Sequence, residues 1–360
     1  MKKRLLMIAV AMMTAASSLT GCSLISVNPK EVVVKVNDSE ITADVANFYA
    51  RYTQAQYETY FGAYMEGDMW NTKADKGKTY EESVKATIQD ELKQMLVLEQ
   101  HMKDYNVSLS DAEKEVIQKA VKEFDEDNSL ENKEKIMSSE EVVERMLTLM
   151  AEGEKMREAI QKDADKNVSD KEAAQKKMDY VLFSYQKEDG EDEEEETAEM
   201  TDEEKAAVKE KAESFAKSAK EDSKKFLEIA QDQGADVEEA TFDAKTEVPD
   251  ADLIKAADAL KKNEVTDVIE TDDGCYVARV TSLMDKDATE SRKKEIITER
   301  ENELFTEVTE KWLDEAKVSV NKKAWKKIDF NALGVTMKQA EKEPYADDVK
   351  TDDQADVIDE

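Results

Sequence analysis

No proline interrupts this chain between Pro29 and Pro249. Proline and glycine punctuate turns, yet the 360 residues include only three of the first and nine of the second, against 38% charged residues. Average usage would place roughly 25 glycines in a chain of this length. The pattern predicts a mostly helical fold. It argues against a two-lobed α/β solute-binding protein, whose many βα turns need both residues.

Patterning along the chain gives the elements. Val32 to Val36, an Asn37-Asp38 turn and Glu40-Ile41-Thr42 read as a small hairpin. Thr42 stands where it can cap a helix reaching about Met65, which carries Phe48, Tyr49, Tyr52, Tyr57, Tyr60, Phe61 and Tyr64. Val84, Ile88, Leu92, Met95 and Leu96 share one face of an amphipathic helix over Tyr80 to His101, which Asn106 can close in the left-handed conformation. Ser110-Asp111-Ala112-Glu113 is a capping box that opens another helix. Val142, Val143, Met146, Leu147, Met150 and Ile160 stripe a third, and these helices are expected to pack as one all-α unit.

The pattern changes at Met178. Asp179 to Tyr185 reads as a strand, and the run from Glu188 to Glu204, which has no basic residue, reads as a solvated loop. A helix over Lys205 to Gln233, a short segment ending at Phe242, a helix near Ala251 to Leu260 and a last strand over Cys275 to Val280 make a compact α+β domain. The long helix predicted over Thr289 to Ala316 has Ile297, Leu304, Val308 and Trp312 on one face and no local partner. It is expected to pack back on the N-terminal helices, and Glu341 to Glu360 is an acidic tail.

The N-terminus fixes the compartment. Lys2, Lys3 and Arg4 precede an apolar run from Leu5 to Leu19, and Leu19-Thr20-Gly21-Cys22 closes it. A basic start, a short apolar run and a small-residue site mark a bacterial lipoprotein signal, too short to span a membrane. Cys22 is thus the expected lipidation site, carrying palmitate-type acyl chains at the outer face of the cell membrane. High Lys and Glu suit a Gram-positive source. This extracytoplasmic location excludes cytosolic metabolism and ATP-driven chemistry. The formal net charge of −34 repels nucleic acid and draws basic polypeptides. With Cys22 acylated, Cys275 has no partner for an intramolecular disulfide. His101, the one histidine, ends a helix and reads as a dipole contact, so no Ser-His-Asp set exists. No Gly-rich phosphate loop and no formed Ca²⁺ loop occurs, and no metal or other cofactor is expected.

Two stretches carry a resemblance. Val34-Lys35-Val36-Asn37-Asp38-Ser39-Glu40-Ile41-Thr42 matches an opening hairpin, and Ala259-Leu260-Lys261-Lys262-Asn263-Glu264-Val265-Thr266-Asp267 leads into Asp273-Gly274-Cys275-Tyr276-Val277-Ala278-Arg279-Val280. In order and architecture the chain resembles the extracytoplasmic foldases of the PrsA type, relatives of the periplasmic chaperone SurA. The second stretch is similar to the parvulin pattern Ala-Leu-Lys-x-Gly-Glu-(Val/Ile)-Ser followed by a Gly-x-His-(Ile/Val) strand. The resemblance implies an α+β, mostly helical protein, with an all-α chaperone domain completed by a C-terminal helix and an inserted parvulin-like domain. The implied boundaries are a signal peptide at 1–21, a tether at 22–30, the SurA-like chaperone domain at 31–171 and the parvulin-like domain at 172–286. The returning helix covers 287–334 and the acidic tail 335–360.

The family's two facing histidines correspond here to Tyr180 and Tyr276. Its Gly-Gly-Asp-Leu-Gly stretch shortens to Gly234-Ala235-Asp236-Val237, and Asp232 is the nearest counterpart of the acidic or thiol residue beside the reacting amide. Phe242 and Leu253 are expected to supply the apolar floor of the proline slot. Prolyl isomerisation breaks no covalent bond; an enzyme lowers the amide barrier of about 18–20 kcal/mol by favouring the twisted form. Tyrosine hydroxyls can hold the floor's hydrogen bonds in place of histidines, or the two can be ordinary half-buried sheet residues. The sequence leaves both readings open. For clients, the expected surface is aromatic, with Tyr52, Tyr60 and Trp70 at its centre and Tyr57, Tyr64 and Met65 beside them. The expected function is a lipid-anchored foldase for unfolded or nascent secreted polypeptides, with peptidyl-prolyl isomerase (rotamase) activity undecided and a homodimer left open. The alternative is a non-catalytic scaffold lipoprotein that holds one partner.

Overall fold

A computed structural model describes residues 28–62, 68–74, 77–186 and 200–337, together with Met13 and Thr14. Cys22, Tyr64, Met65, most of the acidic run after Glu188 and the tail beyond Met337 lie outside the described residues, whereas Val335 and Met337, expected in the acidic tail at 335–360, are buried in the first unit. The chain divides into two compact units: one takes the residues up to Lys162 and those from Leu304 onward, the other Asp163–Glu303. Among the described residues no helix is long and apolar enough to cross a membrane. The fold is mostly helical α+β.

The first unit begins with the hairpin β1 (Val32–Val36) and β2 (Ser39–Thr42), turned at Asn37 with φ 53°. Helix α1 (Ala43–Tyr60) follows, then α2 (Tyr80–His101), α3 (Asp111–Asp127), α4 (Leu130–Ile136) and α5 (Glu140–Gln161). Asn106 adopts φ 53°, as its position predicts. The Ser110–Glu113 capping box forms, and a second one, Thr79 with Glu82, opens α2. Thr42 precedes α1 but its side chain caps no backbone N–H; it donates to Asp44, whose carboxylate accepts from Val45 N at 2.8 Å. Val84, Ile88, Leu92, Val142, Val143 and Met146 are buried in one core with Phe48 and Phe124 of α1 and α3, whose rings meet edge to face at 5.4 Å.

The second unit opens on β3 (Lys176–Ser184), then α6 (Asp202–Glu221), α7 (Phe226–Asp232), β4 (Glu238–Phe242), α8 (Ala251–Asp258), β5 (Ile269–Glu270) and β6 (Gly274–Ser282). The single helix expected over Lys205 to Gln233 is broken. Asp222 leaves helical geometry at φ −142°, and its side chain accepts from Lys224 N to start a fresh 3₁₀ turn. The four strands pair antiparallel in the order β4-β3-β6-β5. Side chains alternate between the two faces. Val181, Phe183, Cys275 and Val277 pack under α6 and α7 with Phe215 and Phe226, while Met178, Tyr180, Tyr276, Ala278 and Val280 pack under α8.

Helix α9 (Lys286–Glu315) ends the second unit, and its residues from Leu304 belong to the first. There Phe305 joins Leu98, Met156 and Ile160, with Leu304, Val308 and Trp312 packed alongside. His101 stacks on Trp312 with ring centroids 4.0 Å apart, and its Nδ1 lies 2.7 Å from Asp104. Strand β7 (Val318–Val320) then pairs with β1, so the unit expected to be all-α holds a three-stranded sheet. Three residues, Val318 to Val320, are too few to show a strand pattern in the sequence. A short α10 (Lys322–Lys326) leads to a segment that runs along α1 to Met337, where Thr336 and Met337 pair with Met13 and Thr14.

Two ion pairs make testable points. Arg279 and Asp179 face each other in register across β6 and β3, joined by a hydrogen bond and both largely buried. Arg279 also donates to Ser223 O at 2.5 Å and lies over the Phe226 ring. Removing one charge strands the other, so Asp179→Leu should destabilise by about 3–5 kcal/mol in denaturant melts, and adding Arg279→Met should recover most of it. Glu113 accepts from Lys155 Nζ and Ser110 N, each at 2.7 Å. Burial opposes its ionisation, but these hydrogen bonds outweigh burial and hold the carboxyl below its usual range. Its stabilisation is therefore present above the unfolded pKa of about 4.3 and lost as pH falls through the lower folded value. Glu113→Gln should lose less Tm than the parent protein between about pH 6 and pH 3.

Candidate functional site

The face of the second unit's sheet beneath α8 brings four predicted residues together. Tyr180 enters from β3 and Tyr276 from β6, one diagonal step apart in the antiparallel register. Their ring centroids are 6.0 Å apart and their planes inclined by 49°. Phe242 from the end of β4 and Leu253 from α8 close the same cluster. Asp250 caps α8 by accepting from Asp252 N and Leu253 N, both at 2.9 Å, which sets Leu253 inward.

The cluster is dry. Tyr180 is 8% exposed, Tyr276 5%, and Phe242 and Leu253 0%. Burial is the main cause raising both tyrosine pKa values. For Tyr180 the second cause is its hydroxyl, which donates to Glu238 Oε2 at 2.5 Å. Glu238 is the partner of Tyr180 in the β3–β4 register and the carboxylate that accepts its hydroxyl, while Asp273 and Asp250 lie near enough to raise the Tyr276 pKa further.

Asp232, the carboxylate expected there, ends α7 and is exposed, while Phe226 and Ala230 of that helix are buried in the cluster on the opposite face. The expectation rested on nearness in sequence to Gly234. Only the strand register, unreadable before β4 is located, points to Glu238. Cys275, the one cysteine among the described residues, is also on the opposite face. It is fully buried, burial pushes its thiol pKa up, and its sulfur lies 3.3 Å from the Tyr185 hydroxyl.

Two details of the expected parvulin pattern take structural form. Asn263, where the pattern has glycine, adopts φ 66°. Thr266 N donates to Ala278 O at 2.9 Å, and Thr266 Oγ1 accepts from Ala278 N at 3.0 Å, which pins the connection to β6. Gly274 has φ 148°, and a Cβ there would lie 2.2 Å from Phe183 O, so no other residue fits without moving β3.

The aromatic residues of the first unit divide sharply. Tyr60 is 63% exposed at the end of α1, with exposed Phe61 beside it and Tyr52 half-buried two turns earlier, stacked on Tyr49 at 6.4 Å. Trp70 does not join this surface. It is 5% exposed, boxed by Tyr57, Tyr80 and Phe330 at centroid distances of 6.1, 5.8 and 4.7 Å, and donates from Nε1 to Glu58 at 2.9 Å. Trp70 belongs to the core because three rings enclose its large apolar indole and Glu58 meets its N–H. Among the described residues no group of three or more His, Cys, Asp or Glu is placed to hold a metal ion.

Residues 185–291 match the family model of the PPIC-type PPIase domain. The match covers Asp232, Phe242, Leu253 and Tyr276, and it begins just after β3, leaving Tyr180 outside. No curated protein matches the chain. Among solved structures, the foldase protein PrsA of Streptococcus pneumoniae is 22% identical over 73% of this chain and 99% of its own, with a TM-score of 0.29. PrsA of Lactococcus lactis is 14% identical over 83% of this chain and 98% of its own, at a TM-score of 0.31. A SurA-like chaperone of Campylobacter jejuni is 13% identical over 80% and 98% of the two chains, at 0.27. Over residues 185–291 the chain is thus similar to the PPIC-type PPIase family, and solved PrsA foldases align with it along most of its length.

Proposed function

We propose that this protein is a lipid-anchored extracytoplasmic foldase that binds unfolded secreted polypeptides, and that its PPIC-type domain is a closed shell contributing binding rather than isomerisation. The observation that carries the second part is the burial of Tyr180, Tyr276, Phe242 and Leu253 in one cluster. A slot for a proline ring must be open before the ring enters, and here the two tyrosines and α8 fill the volume. The Tyr180–Glu238 hydrogen bond ties the floor shut from the β4 side.

The rest of the reading draws on the sequence. The lipobox ending at Cys22 puts the anchor at the outer face of the membrane, and the net charge of −34 favours basic nascent segments as clients. Tyr60, Phe61 and Tyr52 offer an amphipathic aromatic surface suited to many clients.

In a tetrapeptide isomerisation assay the soluble protein lacking Cys22 should give no rate above background, while it delays aggregation of several unrelated denatured proteins. Catalysis that Tyr180→Ala abolishes would refute the closed-slot reading; protection of a single partner only would favour the scaffold alternative. Tyr60→Ser should weaken client binding several-fold at unchanged Tm. Trp70→Ala should instead lower stability by about 3–5 kcal/mol, as expected of a core residue.

A further inference from the structure

The end of the first unit is held in an unusual way. Residues 328–337 form a strap along α1 and the start of α2, and most side chains beneath it bond its main chain; the exceptions are at Asn331, whose side chain meets Glu81 at 3.0 Å and Asn71 at 3.1 Å. Arg51 donates to Asp329 O at 2.9 Å and Leu333 O at 3.3 Å; Gln54 Nε2 donates to Phe330 O at 3.0 Å and Leu333 O at 2.8 Å. Glu81 accepts from Phe330 N at 3.1 Å, Glu58 from Val335 N at 2.7 Å, and Thr59 Oγ1 from Met337 N at 2.8 Å. Lys85 completes the row by donating to Ile328 O.

From Leu333 to Met337 the strap is extended. Leu333, Val335 and Met337 are buried while Gly334 and Thr336 are half-exposed, so alternate residues face α1. Phe330 is seated in the box of Trp70 and under the Arg51 guanidinium. Main-chain bonds with pockets for alternate side chains are how a surface takes an extended peptide with little regard to its sequence. An element built only to finish a core can rely on side-chain packing; here buried polar groups are committed to reading a backbone.

We infer that this groove is a polypeptide-binding site occupied in cis by the chain's own residues 328–337, and that an extended segment of an unfolded protein takes the strap's place. The inference rests on the foldase reading above. The groove's chemistry defines the ligand: apolar side chains at alternating positions, and free N–H groups where Glu81, Glu58 and Thr59 accept. Proline is therefore excluded at those positions. A tethered strap competes at high effective concentration, so the apparent affinity for clients is lowered by the fraction of molecules in which it is seated.

The test is hydrogen exchange on the full mature chain with and without saturating reduced, alkylated lysozyme, a basic and permanently unfolded probe. Binding accompanied by faster exchange at 328–337 is the expected result. Binding with unchanged protection there overturns this inference and leaves the foldase reading standing, whereas absence of any binding overturns both. Phe330→Ala, which loosens the strap without altering the groove's polar side chains, should tighten probe binding about tenfold. Unchanged or weaker binding by a folded Phe330→Ala variant would count against displacement, and the exchange measurement needs no variant at all.

Discussion

Arg51 and Gln54 are buried polar side chains on α1, beside buried Phe48, Ala50 and Ala55. Leaving such groups unpaired costs several kcal/mol, so the core of the first unit exists only if something meets their hydrogen bonds. What meets them lies almost three hundred residues away in the chain: the carbonyls of Asp329, Phe330 and Leu333. Glu58 extends the arrangement to Trp70 and Val335, which fixes the aromatic box. The course of the strap follows from satisfying that short polar stripe.

The second unit rests on a comparable device. Asp179 and Arg279 sit opposite each other on the two central strands, on the face covered by α6 and α7. A one-residue slip of either strand would carry its member of the pair to the other face and strand the opposite charge, so the pair fixes the register as well as the charge balance. That register is what puts the tyrosines one diagonal step apart and Glu238 against Tyr180.

Much of this was legible in the sequence where a local signal existed. Glycine and proline scarcity predicted the helical content, the Ser110–Glu113 box marked a helix start, and the Asn37-Asp38 turn marked the hairpin. Tyr180, Tyr276, Phe242 and Leu253 were found from a motif and do meet in space. Features set by distant pairing were not legible. Glu238 needed the β3–β4 register, β7 is too short to announce itself, and the break at Asp222 lay inside an unbroken apolar period. Trp70 failed as a surface residue because its burial depends on Phe330, far along the chain.

The first unit is built from both ends of the chain, whereas the second is one continuous stretch. A polypeptide emerges from its N-terminus onward, and continuous domains fold as units as they appear. The sheet around Val318–Val320 can close, and Arg51 can find its carbonyls, only after the whole second unit and the residues to Leu333 have been made. Until then α1 presents an unfilled groove of the same kind that any extended chain presents to its neighbours. A protein whose residues 328–337 must be captured by α1 meets, once in every molecule, the folding problem of a late-arriving strand.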